Sequence, residues 1–144
     1  MKRFFSPELH GSRTSLGLLL LRLLAGVAMM HHGWGKIQNP FGWMGPTAPV
    51  PGVLQGLAAL SEFGGGLALV LGLLTPLAML GLAFTMAFAS FFHISKGDPF
   101  VGKGGGASWE LAALYLTIAV CFILCGPGRF SLDAKLFGRA PARR

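Results

Sequence analysis

An all-α, membrane-embedded antiparallel four-helix bundle is the fold this sequence predicts, and three observations predict it. Of 144 residues, 53% are hydrophobic and only 12% charged, against roughly 25% charged in an ordinary soluble domain. Mean hydropathy is +0.62, which excludes a disordered chain. Four apolar stretches, residues 16–32, 53–74, 76–92 and 108–125, approach the ~20 residues needed to cross a hydrocarbon core of ~30 Å. They divide the chain into a basic N-terminal segment (1–14), a transmembrane bundle (15–126) and a basic tail (127–144). The net charge of +7 comes from Lys and Arg gathered toward the two ends without interleaved aromatics. Anionic lipid headgroups, and not nucleic acid, are the expected counter-charge.

Taken in order, the first span runs from Leu16 to His32 and is expected to close in a turn at Gly33. Its Leu-rich run after Lys2 and Arg3 has the outline of a signal peptide, but Arg22 inside the run and three further spans argue against cleavage. Spans two and three meet at Thr75-Pro76. That spacing dictates an antiparallel hairpin with proline in the first turn of the third helix, where its missing N–H costs nothing. Gly126 is expected to end the fourth span. The tail carries Phe130, Leu132, Leu136 and Phe137 among basic residues, which suits a short helix in the headgroup region or a frayed charged end.

Eight basic residues flank one side of these spans (Lys2, Arg3, Arg13, Arg129, Lys135, Arg139, Arg143, Arg144) and three the other (Lys36, Lys96, Lys103). The excess puts both termini in the cytoplasm of a multi-pass inner (plasma) membrane protein. The connections 34–52 and 94–107, rich in Gly and Pro, then face outward as docking places for a partner.

Ionisable groups inside spans are expensive and usually face the bundle interior. At ~100° per residue, Gly26, Met29, Gly33 and Lys36 share the face of Arg22, with His32 on its flank and His31 opposite. Glu62 shares its face with Gln55, Gly66 and Leu69, and Gly64-Gly65-Gly66 permits close backbone approach. Counted back from His32 and forward from Pro51, Arg22 and Glu62 both lie about 15 Å deep, so an ion pair between them is expected. His93 closes the third span and Glu110 opens the fourth at the outer level, with Thr117 and Cys121 following Glu110 along one stripe. Arg22, His32, Lys36, Glu62, His93 and Glu110 therefore form a polar pocket open to the outer side, able to hold a carbonyl-bearing or anionic ligand or to relay protons. An interhelical network without a ligand explains the same residues. His31, Gln55, Thr117 and Cys121 are weaker candidates.

No metal is expected, because adjacent His31 and His32 point apart and no H-E-x-x-H or E-x-x-H spacing occurs. Haem would require histidines at matched depth in mid-membrane, whereas these lie at the outer ends. Cys121 and Cys125, four apart, read as packing residues and not as a redox C-x-x-C. The run Gly102 to Gly106 lacks phosphate-loop spacing and reads as a flexible loop.

The series Arg22-x3-Gly26-x5-His32-Gly33-x2-Lys36, Glu62-x2-Gly65-Gly66, Gly72-Leu73-Leu74-Thr75, His93, Glu110 and Gly126-Pro127-Gly128-Arg129-Phe130-Ser131-Leu132-Asp133 resembles the DoxX family of small four-span bacterial membrane proteins. The resemblance covers about residues 15–134, with Met29 where the family pattern has Phe. It implies similarity to the quinone-side membrane subunit of thiosulfate:quinone oxidoreductase, and to membrane anchors of complexes with soluble redox enzymes. The chain is then expected not to be an enzyme alone but a quinone-interacting subunit of a membrane oxidoreductase, with a bound quinone, no covalent or metal cofactor, and electrons from a soluble or peripheral redox partner. Homo- or hetero-oligomers are expected. Two other readings stay open: an anchor or assembly factor that docks partners on its outer loops, and a small proton-coupled carrier of a weak acid.

Overall fold

A computed structural model describes residues 11–138, all helix and connecting loop. Among the described residues five helices follow one another: α1 (Ser12–Gln38), α2 (Gly52–Leu71), α3 (Thr75–Ser95), α4 (Glu110–Cys125) and the short α5 (Leu132–Phe137). The first three are long and apolar enough to cross a membrane; α4 is apolar but only 16 residues long. The bundle is antiparallel and is a membrane protein, with apolar side chains such as Leu24, Phe84 and Leu124 exposed around its outside. The charges that the sequence reading counts on Lys2, Arg3, Arg139, Arg143 and Arg144 lie outside the described residues.

One core joins all four long helices: Leu18, Ala25 and Met29 from α1, Leu69 from α2, Met79, Leu82 and Met86 from α3, and Tyr115, Ala119 and Phe122 from α4. The α1–α2 contact is nearly backbone to backbone. A Cβ on Gly26 would stand 2.8 Å from the Gly66 carbonyl, and one on Gly33 would stand 2.5 Å from the Phe63 nitrogen. Gly33 therefore does not end the first helix. It is an interior contact point, and α1 continues to Gln38, because the space a side chain would take is filled by α2.

Residues 72–74 make the tight α2–α3 connection, with Pro76 in the first turn of α3 as its position predicts. The turn needs Gly72 at φ 63° and also holds Leu74 at φ 48°, a rare conformation for a side-chain-bearing residue. The segment after Gly126 secures it. Both carboxylate oxygens of the fully buried Asp133 accept hydrogen bonds from the Leu74 and Thr75 amides, at 2.7 and 2.9 Å. The Asp133 amide donates to the Gly72 carbonyl at 2.8 Å. An anion thus satisfies orphan donors at the N-terminus of α3, where the helix dipole favours it. Gly126 ends α4 at φ 70°, and α5 forms within the tail, which from Pro127 to Asp133 is largely packed into the bundle.

Two outcomes test this frame. Gly26→Ala puts a methyl group into the Gly66 carbonyl and is expected to destabilise by about 1–3 kcal/mol, whereas Gly17→Ala, with nothing within 4 Å, is expected to stabilise by about 0.5–1 kcal/mol through helix propensity. Asp133→Ala strips one buried and one part-buried amide of their acceptor at a cost of about 2–4 kcal/mol. Chemical unfolding in mild detergent measures both.

Candidate functional site

The polar groups divide between two places on the bundle. At the end with the short α2–α3 connection, Arg22 is 2% exposed and directs four N–H groups to four carbonyls. Nε donates to Leu69 at 2.9 Å and Nη2 to Val70 at 3.0 Å; Nη1 donates to Pro127 at 2.8 Å and Phe130 at 3.0 Å. The first two are last-turn carbonyls of α2, where the regular helical donors run out and Leu69 otherwise accepts from the Gly72 amide at 3.1 Å, so a cation there completes the helix and ties it to the tail.

Toward the long-loop end, Lys36 Nζ lies 2.5 Å from Glu62 Oε1 and 4.5 Å from the centre of the Trp43 ring. The expected Arg22–Glu62 ion pair is not formed. Sequence counting takes His32 as the outer end of the first span, but α1 runs on to Gln38, about 9 Å further at ~1.5 Å per residue. Arg22 accordingly falls beside Leu69 and Val70, and Lys36 takes its place beside the carboxylate.

Glu62 sits in a π-helical turn, Leu60–Gly64, that interrupts α2. Such turns take in an extra residue and recur at functional sites. The Glu62 side chain is 4% exposed and that of Lys36 26%. Glu62 Oε2 is buried with no hydrogen-bond partner among the described residues.

This pair lines a cavity of about 660 Å³ between α2, α3 and the 39–51 connection, within the usual ligand-pocket range of ~300–1,000 Å³. Its walls are mostly apolar, with Leu54, Leu57, Phe84 and Phe88 prominent. Phe84 is 72% exposed, so the cavity opens sideways onto the apolar outer surface. His93 reaches the mouth, its Nδ1 2.8 Å from Asp98 Oδ2. Gln55 fastens the roof: its side chain accepts from the Met44 amide at 3.0 Å and donates to the Val50 carbonyl at 2.8 Å, and its own carbonyl accepts from Trp43 Nε1 at 3.1 Å. The 39–51 connection is thus partly folded onto the site, with Phe41 seated against Gly52 and Gly56.

Of the six leading sequence candidates, Lys36, Glu62 and His93 meet at this cavity and Arg22 does not. His32 is exposed, packed edge-on against Tyr115 at 5.9 Å; it faces α4, because the α1 face turned to α2 is taken by Gly26 and Gly33. Glu110 is exposed at the start of α4, which packs on α3 away from the cavity. Of the weaker four, Gln55 is at the cavity, His31 is exposed, Cys121 is half-buried, and Thr117 is exposed and donates to the Ala113 carbonyl. Ser61 and Thr85 line the cavity without having been singled out in the sequence, and Trp43 and Met44, which the sequence offers only as part of a partner-docking connection, line it as well. The phenylalanines at 84, 88 and 92 recur every four residues beside Thr85, Ala89 and His93, a signal readable as ordinary lipid-facing surface. Among the described residues no group of three His, Cys, Asp or Glu could hold a metal.

The DoxX family profile matches residues 17–94, a stretch that includes Arg22, Lys36, Glu62 and His93. This chain belongs to the DoxX family. It is 34% identical over 127 residues to the Inner membrane protein YqjF of Escherichia coli K12, covering 84% of this chain and 92% of that one. It is also 33% identical over 123 residues to an uncharacterised protein of Haemophilus influenzae, covering 83% and 90%. No solved structure matches it. As a DoxX protein it carries its Lys36–Glu62 ion pair inside the matched stretch.

Removing one member of that pair leaves the other charge uncompensated. Lys36→Met is expected to destabilise by about 3–5 kcal/mol, and the double variant Lys36→Met, Glu62→Met to recover most of the loss, as read from unfolding midpoints in detergent.

Proposed function

We propose that this DoxX protein is a quinone-binding subunit of a redox complex in the inner membrane. The observation that carries the reading is the half-satisfied Glu62 carboxylate, held by Lys36 at the wall of an apolar cavity that opens toward lipid. A quinone needs flat apolar walls for its ring and a few polar groups for its oxygens. Phe84, Phe88 and Leu57 supply the first; Lys36, with N–H groups beyond the one on Glu62, supplies a donor. Side access between α2 and α3 suits a ligand that diffuses within the bilayer.

Ring reduction takes up two electrons and two protons. Glu62, inside the cavity, and the His93–Asp98 pair, at its mouth, are groups able to pass protons. The electrons belong to a partner enzyme, since this chain shows no cofactor motif of its own. The relationship to YqjF, described as an inner membrane protein, supports the placement. The anchor reading gains less from the geometry, because Trp43 and Met44, in the 34–52 connection that the sequence offers as a docking place, line the cavity.

The test uses Trp43 as its own reporter, in protein carrying Trp34→Phe and Trp109→Phe. Titration with a tailless benzoquinone is expected to quench Trp43 fluorescence saturably, and Ala89→Phe, which fills the cavity, is expected to abolish the saturable part. Linear quenching that is equal in both proteins would contradict the proposal.

A further inference from the structure

The hydrogen-bond inventory of this cavity is one-sided. Glu62 Oε1 is taken by Lys36 at 2.5 Å, while Oε2 is buried and unpartnered. An ionised carboxylate only accepts hydrogen bonds, so what it lacks is a donor. Three neighbouring donors are directed elsewhere: Trp43 Nε1 to the Gln55 carbonyl, the Gln55 amide to Val50, and the Thr85 hydroxyl to the Gly81 carbonyl at 3.1 Å. Each of these three donors is engaged with a backbone carbonyl. Neither the Ser61 hydroxyl nor the remaining Lys36 N–H groups reach Oε2.

A quinone offers acceptors alone and leaves Oε2 as it is. A hydroquinone offers an O–H. We infer that the site selects the reduced, hydroxyl-bearing form of its aromatic ring, with one ring hydroxyl donating to Glu62 Oε2 while Lys36 remains on Oε1. This rests on the ring-binding reading above and adds a ranking among ligands that the reading alone does not contain. Buried acceptors left unpaired are costly, and a site built around a ligand hydroxyl discriminates strongly against the analogue that lacks it. For a single hydroxyl at a cavity with one open side, the expected preference is on the order of 10- to 100-fold. Tighter binding of the reduced ring makes the bound quinone a stronger oxidant. Each tenfold preference is worth about 30 mV for a two-electron couple, a bias toward accepting electrons from the partner enzyme.

The experiment compares three tailless probes on one ring system by anaerobic equilibrium dialysis against the full chain in mild detergent: tetramethylbenzoquinone, tetramethylhydroquinone, and the dimethyl ether of that hydroquinone. Binding that survives in Ala89→Phe is subtracted as micelle partition. The hydroquinone is expected to bind at least tenfold more tightly than the quinone and the ether. In Glu62→Gln, whose amide can donate, that preference is expected to vanish or to turn toward the quinone. Equal saturable affinities for all three in the wild-type protein would overturn the inference and leave the ring site standing. No saturable binding of any probe would overturn both. The wild-type series decides the matter by itself if Glu62→Gln does not fold.

Discussion

The close approach of α1 and α2 sets everything else in this protein. Gly26 against the Gly66 carbonyl and Gly33 against the Phe63 backbone leave no room for a sliding register, and interfaces built on small residues are a principal means by which helices hold together in lipid. From that register it follows that Arg22 meets the final carbonyls of α2, and that Lys36 meets Glu62. A shift of one turn, about 5.4 Å, would bury two cations and an anion without partners.

The two polar places share a chemistry but differ in how complete they are. Arg22 has four carbonyls around it and Asp133 has two amides on its carboxylate; together they neutralise the two helix ends that meet at the α2–α3 connection. Such a site is closed to ligands. The Lys36–Glu62 pair stands at a cavity wall with one oxygen unmatched, beside a π-helical turn. Among the described residues, the incomplete pair is the buried charge with a hydrogen bond still open, and it stands at a cavity that opens onto the apolar outer surface.

Much of this was legible in the sequence. Hydropathy marks the helices, Thr75-Pro76 marks the hairpin, and the Gly64–Gly66 run marks the close approach. The helical period puts Lys36 on the face of Gly26 and Gly33, and Glu62 on that of Gly66. What failed was depth. A glycine after a paired histidine looks like a helix end, and only the packing of Phe63 shows that Gly33 is a contact point inside a longer helix. That misplaced end moved the ion pair from Lys36 to Arg22 and drew His32 inward. Asp133 was hidden for a different reason: its role depends on a contact with Leu74 and Thr75, far away in the chain, which no local pattern encodes. Trp43 was read as loop surface because nothing in its neighbourhood announces that Gln55 will fold the connection over the cavity.

The central claim is that the cavity beside Lys36 and Glu62 holds an aromatic, redox-active ring in the native membrane. Native mass spectrometry of the protein released gently from its own membranes tests it most directly, because it weighs whatever the bundle carries without choosing the ligand in advance. One quinone-class molecule per chain, absent when Ala89→Phe fills the cavity, is the predicted result. A bundle that emerges with no such molecule, or with the same molecule in the filled variant, would contradict the account.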